Sequence, residues 1–459
     1  MTRVDALVAE IGSTTTVVSA FDGLTAESLE AAGGAAGPGP GRAPGVGPRL
    51  VGQGMALTSV LQGDVTLGVA AARAQLEERT GPLEPALFLA TSSAAGGLRM
   101  TVHGLTQRMT AMAAHEAALG AGAVVKYLTA GRMRDADLRR IAELQPNLVL
   151  LAGGVEGGDV DTVLYNAARL AELPVRPMVV YGGNSAVADE VRGILESAGF
   201  RVRITSNVYP AVDKLDVLPA RAAIHDAFEE HIVHAPGMER IRHLVNGPIL
   251  PTPGAVLIAA ERLAEALGDL VVVDVGGATT DVHSVTDGSP EIAALQTEPQ
   301  PHSKRTVEGD LGTFVSAMHA AALVDAQHRP PVLPPALPRS ADEVAAARAL
   351  ARVAAFTAVR RHAGSLEHIY TPTGRKTVAR GRDLTACRLL IGTGGALVRL
   401  PGGTEILEET RGHEGGERLL PPEDARCVLD KDYVFASCGA LFARFDGSAV
   451  VEIMRKSIA

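Results

Sequence analysis

Two carboxylates flank a glycine-rich turn near the middle of the chain. Asp274 lies in the apolar run 271–275, and Asp281 follows a turn made of Gly276, Gly277, Ala278 and Thr279. Glycine allows a backbone to approach a phosphate closely, and successive backbone N–H groups can form a concave anion site. Mg²⁺ usually keeps several waters and binds through one or two carboxylates together with substrate phosphates. The spacing therefore predicts a β-hairpin that holds a phosphate chain and a hydrated metal.

A second copy of this pattern lies near the N-terminus. Glu10 stands two residues before the turn glycine, as Asp274 does, and the turn consists of Gly12, Ser13, Thr14 and Thr15. Phosphoryl transfer depends mostly on positioning the phosphates and neutralising their charge, and two such hairpins could supply both. Glu10 and Asp274 are thus the predicted metal-facing carboxylates. Together with Asp281 they are the candidate catalytic residues, although Asp281 could instead hydrogen-bond the hairpin.

Apolar, β-branched segments predict the strands that carry these turns, including residues 4–11 and 15–22 of the first hairpin. Between about residues 146 and 210 strands alternate with helices, which predicts a parallel sheet with both faces covered. A further buried strand at 386–391 runs into a third glycine-rich turn, Gly392–Leu397. The pattern as a whole predicts an α/β protein.

Two helices have clear start signals. One is predicted over residues 106–119 with Thr106 as its N-cap, and the other extends from a Ser340 cap through His362. His362, near the end of the second helix, is predicted to interact with the helix dipole. Its neighbour Arg361 is predicted to form a surface or interdomain salt bridge.

Length and composition limit the class of protein. The 459 residues suffice for two or three domains, and the segment 31–48, rich in glycine, alanine and proline, predicts a flexible loop. A net charge of −9, no tryptophan and only 3% aromatic residues argue against nucleic-acid binding. No apolar run reaches the roughly 20 residues that span a bilayer, and no secretory signal precedes Val4. Widely spaced Cys387, Cys427 and Cys438 predict reduced thiols in a cytoplasmic protein.

The order of the three turns resembles that of the actin, sugar-kinase and heat-shock ATPase superfamily. Shorter segments resemble one branch, the MutL/GlmL group, whose members are accessory proteins encoded with cobalamin-dependent glutamate (methylaspartate) mutase. The resemblance covers nearly the whole chain and is carried by the segments Ile11–Thr14, Leu151–Gly154, Val307–Gly312, Arg361–Gly364 and Gly392–Gly395.

This resemblance implies a two-lobed, actin-like ATPase with ribonuclease H-like lobes, the first at residues 1–245 and the second at 246–459. It also implies that ATP or ADP binds with Mg²⁺. The segments Gly12–Thr15 and Gly276–Thr279 would hold the β- and γ-phosphates, and Gly394 and Gly395 would lie beside the adenosine. The family usually has aspartate where this chain has Glu10, which changes the geometry and leaves the rate of hydrolysis open.

The implied function is that of an ATP-binding, slowly ATP-hydrolysing reactivation chaperone in the cytoplasm. Its partners would be the subunits of a cobalamin-dependent mutase; the client and the oligomeric state stay open. The first alternative is a small-molecule kinase, which needs a general base aimed at a substrate hydroxyl. The second is a binding module without hydrolysis. Glu308 and Asp310 could supply a base or a metal-water contact, but we favour a role in capping a helix that starts near Leu311.

Overall fold

The computed structural model describes residues 1–24, 47–94, 98–232, 237–372, 374–412 and 417–459. The loop predicted at residues 31–48 therefore lies outside the described residues, apart from Gly47 and Pro48. Within the described ranges, no helix has both the length and the apolar character needed to cross a membrane. All three cysteines are free, as predicted, and two of them are buried.

The strands follow one another along the chain in three groups. The first group is β1 (Thr2–Ile11), β2 (Thr15–Asp22), β3 (Arg49–Leu57) and β4 (Leu83–Ser92). The second is β5 (Arg99–Gly104), β6 (Val124–Ala130), β7 (Leu148–Leu151), β8 (Met178–Tyr181) and β9 (Val202–Ile204). The third is β10 (Ile249–Pro251), β11 (Leu270–Val275), β12 (Thr280–Val285), β13 (Ser303–Glu308), β14 (Ser365–Thr371), β15 (Gly374–Arg380), β16 (Leu389–Thr393) and β17 (Arg426–Leu429).

Helices connect and cover these strands. Those of the first half are α1 (Val65–Thr80), α2 (Thr110–Gly120), α3 (Asp135–Leu144), α4 (Asp161–Ala171), α5 (Ala188–Ser197) and α6 (Leu218–Ile232). Those of the second half are α7 (Thr252–Leu267), α8 (Pro290–Ala293), α9 (Ala317–Leu323), α10 (Ala341–His362), α11 (Gly395–Val398), α12 (Gly403–Glu408), α13 (Phe435–Leu441) and α14 (Gly447–Ser457).

Two of the sheets have the same topology. One has the order β10-β4-β1-β2-β3 and the other β13-β12-β11-β16-β17. In each, three antiparallel strands that are consecutive in sequence are extended by two parallel strands. Parallel neighbours need long crossover connections, which the helices between them supply. This duplicated order of three antiparallel and two parallel strands is that of the ribonuclease H-like lobe, and it confirms the predicted two-lobed, actin-like α/β fold.

The third large sheet is parallel throughout and larger than the sequence predicts. Its order is β6-β5-β7-β8-β9, so it begins at Arg99, well before the predicted section at 146–210. The sequence does not predict the edge strand β6. Its side chains are only half-buried, so the strand lacks the continuous apolar run that marks a buried parallel strand.

A shared hydrophobic core joins the two duplicated sheets. It includes Val8 on β1, Val272 on β11, Val256 on α7 and Phe435 on α13. The lobe boundary at residues 245 and 246 stays a prediction. Strand β10 lies after that boundary in the sequence yet pairs with β4 of the first sheet.

Two helix starts differ from expectation. Helix α2 begins at Thr110, not at Thr106, and the Thr110 hydroxyl accepts hydrogen bonds from the backbone N–H groups of Leu105 and Thr106. The sequence Pro251–Pro253 predicts a chain break before a helix over residues 254–267, but α7 already begins at Thr252, because proline is well tolerated in the first helical turn. The Ser340 cap of α10 is confirmed, with Glu343 completing a reciprocal capping box.

Candidate functional site

The turns of the two predicted hairpins are built alike. The Gly12 N–H donates to the Thr15 carbonyl over 2.9 Å, and the Gly276 N–H donates to the Thr279 carbonyl over the same distance. A Cβ at Gly12 would lie 2.8 Å from the Thr15 oxygen, so a side chain would open the turn. Among the described residues no acceptor is found for the turn amides at positions 13, 14, 277 and 278. These N–H groups are available to an anion.

The two turns face each other. A Cβ at Gly277 would lie 2.8 Å from the Thr14 hydroxyl oxygen. That hydroxyl is buried and has no hydrogen-bond partner in the described part of the chain. Buried polar atoms rarely lack a partner, so an orphaned hydroxyl between two sets of open backbone amides indicates a site for a polar ligand.

The third predicted turn lies against the second hairpin. Gly394 has a φ of 87°, and a Cβ there would lie 2.5 Å from a carboxylate oxygen of Asp274. Only glycine combines this left-handed backbone with so close an approach. Gly395 follows at the start of α11 and has open space where a Cβ would be.

A single cavity of about 430 Å³ collects every predicted site residue. Its volume is within the usual range for small-molecule sites. The predicted residues that line it are Glu10, Gly12, Ser13, Thr14, Thr15, Asp274, Gly276, Gly277, Ala278, Thr279, Asp281, Gly394 and Gly395. The sequence did not indicate other lining residues, which include Met55, Arg399, Tyr433 and the proline-rich stretch 335–339.

Asp274 is the unpartnered carboxylate of this cavity. No group in the described residues donates a hydrogen bond to it, whereas burial and then the negative charges of Asp281 and Glu10 raise its pKa well above the usual value. A carboxylate that is crowded by other carboxylates, and has no donor of its own, is stabilised in its charged form by a cation.

Glu10 is buried and has one firm partner. The Tyr433 hydroxyl donates to Glu10 Oε1 over 2.6 Å, and the Arg399 guanidinium lies 5.1 Å from the centre of the Tyr433 ring. Burial raises the pKa of Glu10 to about 7, against the opposing effects of Tyr433 and Arg399. Glu10 and Tyr433 are 423 residues apart in sequence, so no local pattern could have linked them.

The donor set fits a hydrated Mg²⁺ ion held jointly with phosphate. Asp274 and Glu10 supply carboxylate oxygens, and the excess negative charge around Asp274 calls for a cation. Such an ion takes one or two protein carboxylates and completes its shell with water and phosphate oxygens. The described residues contain no group of three or more His, Cys, Asp or Glu side chains arranged to hold a metal by themselves.

The Val307–Gly312 segment and the residues after it support the second turn. The Thr313 N–H donates to the Gly276 carbonyl, and the Ser316 hydroxyl donates to the Ala278 carbonyl. A Cβ at Gly312 would lie 2.6 Å from the Gly277 oxygen, which explains the glycine. This segment is therefore a support for the hairpin.

The predicted capping role of Glu308 and Asp310 is wrong. No helix begins near Leu311; both carboxylates instead bind Arg361, at 2.6 Å and 2.8 Å. Neither carboxylate lines the cavity. Arg361 forms the predicted surface salt bridge, and both of its partners come from the second half of the chain.

His362 does not serve the helix dipole. It is buried, and its ring nitrogens bond the hydroxyls of Ser284 and Thr306, at 2.8 Å and 2.9 Å. Burial lowers its pKa well below the usual value, so the ring is neutral. A neutral imidazole cannot act as the cation that a helix C-terminus favours.

Among the known proteins that this chain resembles are a bacterial relative and two more distant solved structures. The chain is 37% identical over 430 residues to Protein MutL of Clostridium tetanomorphum, which covers 87% of this chain and 92% of that protein. A nucleotide-free acetone carboxylase matches with 12% identity and a TM-score of 0.37, covering 95% of this chain and 70% of that one. A glycerol dehydratase reactivase matches with 10% identity and a TM-score of 0.29, covering 95% and 99%. At these TM-scores neither structure bears on the site.

The family match spans nearly the entire chain. The model of the family described as MutL protein matches residues 6–458, which include both hairpins, the parallel sheet and the C-terminal helices. Together with the identity to the clostridial relative, this match shows that the chain belongs to the MutL family.

Proposed function

We propose that this protein binds ATP with Mg²⁺ and acts as an accessory, reactivating protein for a cobalamin-dependent mutase such as glutamate (methylaspartate) mutase. The observation that supports ATP binding is the convergence of three glycine-rich turns on one cavity around an unpartnered carboxylate, Asp274. The proposal of a mutase partner draws on membership in the MutL family.

Separate groups of residues in the cavity are suited to the phosphates, the metal and the adenosine of a bound nucleotide. The open amides of the two turns and the Thr14 hydroxyl would bind the β- and γ-phosphates. Asp274 and Glu10 would orient the hydrated metal, with Tyr433 holding the Glu10 carboxylate in place. Bound Mg²⁺ would supply charge neutralisation for the phosphates. The turn at Gly394 and Gly395 and the proline-rich stretch 335–339 would contact the adenosine.

The location of the cavity suggests how nucleotide would control a partner. Its walls come from both duplicated sheets, so a ligand that bridges the two turns favours the closed arrangement of the lobes. Exchange between ATP and ADP would then change the affinity for the mutase, which allows damaged cobalamin to leave. We place this cycle in the cytoplasm.

The test is calorimetric titration of the purified protein with ATP and with ADP, each with Mg²⁺ and with a chelator. We expect binding that requires the metal. The absence of binding by any adenine nucleotide would refute the proposed site. In parallel, the tagged protein is incubated with purified mutase subunits; ATP and ADP should give different amounts of captured mutase. Equal capture under both conditions contradicts the proposed cycle.

A small-molecule kinase is the second candidate, and one observation favours it. The pKa of Glu10 is raised to about 7, which suits a general base that works near neutral pH. A screen for phosphate transfer from ATP to sugars and carboxylic acids distinguishes the two functions. Transfer to such a substrate supports the kinase, and water as the sole acceptor supports the accessory protein.

A further inference from the structure

Arg305, on β13, holds the carboxylate of Asp281 from behind the second hairpin. Its Nε donates to Asp281 Oδ1 over 2.7 Å, and its Nη2 lies 2.5 Å from the same oxygen. The other oxygen, Oδ2, accepts from the Thr279 hydroxyl over 3.1 Å. The Arg305 side chain is 1% exposed, so this ion pair is screened little by solvent.

The same guanidinium reaches a different part of the molecule. Its Nη1 donates to the carbonyls of Leu119 and Ala123, over 2.9 Å and 3.1 Å. Leu119 lies in the last turn of α2, where a cation is favoured, and its carbonyl also accepts the Gly122 N–H over 2.9 Å. Helix α2 packs on β5, β6 and β7 of the parallel sheet. Arg305 therefore connects a cavity carboxylate to the parallel-sheet section of the fold.

Arg305 differs from its neighbour Lys304, which also links β13 to α2, because Arg305 binds Asp281 as well. The adjacent Lys304 pairs with Glu116 of α2 at 2.9 Å, and both side chains are largely buried. His283, paired with Arg305 across the strands, has both ring nitrogens buried without a partner among the described residues. Lys304 thus links the same two elements as Arg305 but does not bind Asp281, which makes it a matched control.

We propose that Arg305 is a positioning residue of the nucleotide site that orients Asp281 and transmits metal–nucleotide binding from the second hairpin to the carboxyl end of α2. This inference rests on the proposed function and adds a route by which the site controls the rest of the molecule. The guanidinium is planar and its donors have a fixed geometry, so a shift of Asp281 turns the whole group. The Leu119 and Ala123 carbonyls must then move with the guanidinium or lose its hydrogen bonds.

The test compares three variants of the full chain: Arg305→Met, Arg305→Lys and Lys304→Met. Two measurements are made on each: Mg²⁺-dependent ATP binding by calorimetry, and hydrogen exchange of peptides covering residues 110–124 with and without saturating Mg²⁺–ATP. In the unmodified protein we expect nucleotide to change exchange in these peptides. Arg305→Met should weaken binding about 10- to 100-fold, the usual loss when a supporting group around a metal site is removed.

Arg305→Lys guards against a variant that fails to fold, because lysine keeps the charge. Its single ammonium group cannot hold Asp281 and both carbonyls in one geometry, so at saturating nucleotide the exchange response of α2 should be lost. Lys304→Met should bind within about twofold of the unmodified protein and keep the response.

Two results would overturn the inference while leaving ATP binding intact. One is an Arg305→Lys protein that binds as tightly as the unmodified protein and still transmits the response to α2. The other is a Lys304→Met protein with the same defects as Arg305→Met, since the contact between β13 and α2 would then have only a structural role. If the unmodified protein binds no adenine nucleotide, the proposed function itself fails, and this outcome is distinct from both.

Discussion

At the scale of residues, the three carboxylates that line the cavity and the nearby buried Asp430 differ in what holds them. Asp281 is held by Arg305 and Thr279, and Glu10 by Tyr433. Asp430 accepts from Ser457, Thr393 and the N–H groups of Val434 and Phe435. Asp274 alone has no hydrogen-bond partner within the described part of the chain. A carboxylate already supplied with donors gains less from a cation, so Asp274 is the natural metal ligand.

Replacing Asp274 with alanine should abolish ATP turnover and weaken Mg²⁺-dependent ATP binding by roughly tenfold or more, since even groups behind a metal ligand contribute that much. Calorimetry and a phosphate-release assay measure the two effects. Asp424→Ala is the control, because that carboxylate is exposed and pairs with Arg388 at the surface. Full turnover in the Asp274 variant would show that the site is assigned wrongly.

Binding of Mg²⁺–ATP should weaken as the pH falls below about 7. Glu10, with its pKa raised to about 7, becomes protonated there, and the metal must displace that proton. The loss should approach about tenfold per pH unit for one proton. Glu10→Gln keeps the side-chain length, and the nucleotide's own titration is common to both proteins. The difference between their calorimetric pH profiles therefore reports Glu10 together with Asp274, whose pKa Glu10 helps to raise, and identical profiles would remove Glu10 from the metal site.

At the scale of elements, each hairpin turn depends on a neighbouring segment for its shape. The end of β3 supports the first turn, since the Thr58 hydroxyl donates to the Gly12 carbonyl and the Thr58 N–H to the Thr14 carbonyl. The residues after β13 support the second turn, with Gly312 in close backbone contact. Because the N–H groups of such a turn must stay free for a ligand, other segments supply the donors that hydrogen-bond its carbonyls.

Gly312→Ala should disturb the second turn. The added Cβ would lie 2.6 Å from the Gly277 oxygen, and overpacking of this kind typically costs about 1–3 kcal/mol. We expect a lower free energy of unfolding in urea and weaker ATP binding. Gly309→Ala, in the same segment, is the control because nothing lies within 4 Å of a Cβ there. Equal behaviour of the two variants would contradict the role given to Gly312.

At the scale of the whole molecule, helices α7 and α13 join the two duplicated sheets. They contribute Val256 and Phe435 to the shared core and cross at Gly439, where a Cβ would lie 2.0 Å from the Ala255 oxygen. Backbones that approach this closely leave room only for glycine. The proposed lobe motion around a bound nucleotide would therefore have to be accommodated at or around this helix pair.

Gly439→Ala should separate α7 from α13 and lower the free energy of unfolding by about 2 kcal/mol or more, although the residue is not in the cavity. Urea unfolding measures the effect. Gly447→Ala, at the start of α14, is the matched control because its nearest neighbours are ordinary contacts at 3.8 Å. Unchanged stability of the Gly439 variant would show that the crossing is loosely packed.

The sequence by itself determined the parts of the site that are local in the chain. The two hairpins, their turn glycines and hydroxyls, and the third turn were all predicted, and the turn residues Gly12–Thr15, Gly276–Thr279, Gly394 and Gly395 line one cavity. A β-hairpin is specified by residues adjacent in sequence, and the φ of 87° at Gly394 demands a glycine at that position. The two-lobed fold was implied by the family resemblance that the order of the three turns carries.

Only the tertiary structure decided which group holds which carboxylate. Tyr433 reaches Glu10 across 423 residues, and Arg305 binds Asp281 while donating to carbonyls more than 180 residues away. Glu308, Asp310 and His362 were misread for the same reason. Their partners come from other elements, and a pattern within a few residues of the chain carries no information about them. The hydrogen bonds and burial of each site carboxylate depend on residues from distant parts of the chain. Its protonation state, and whether it is free to bind a metal, can therefore be judged only from the folded structure.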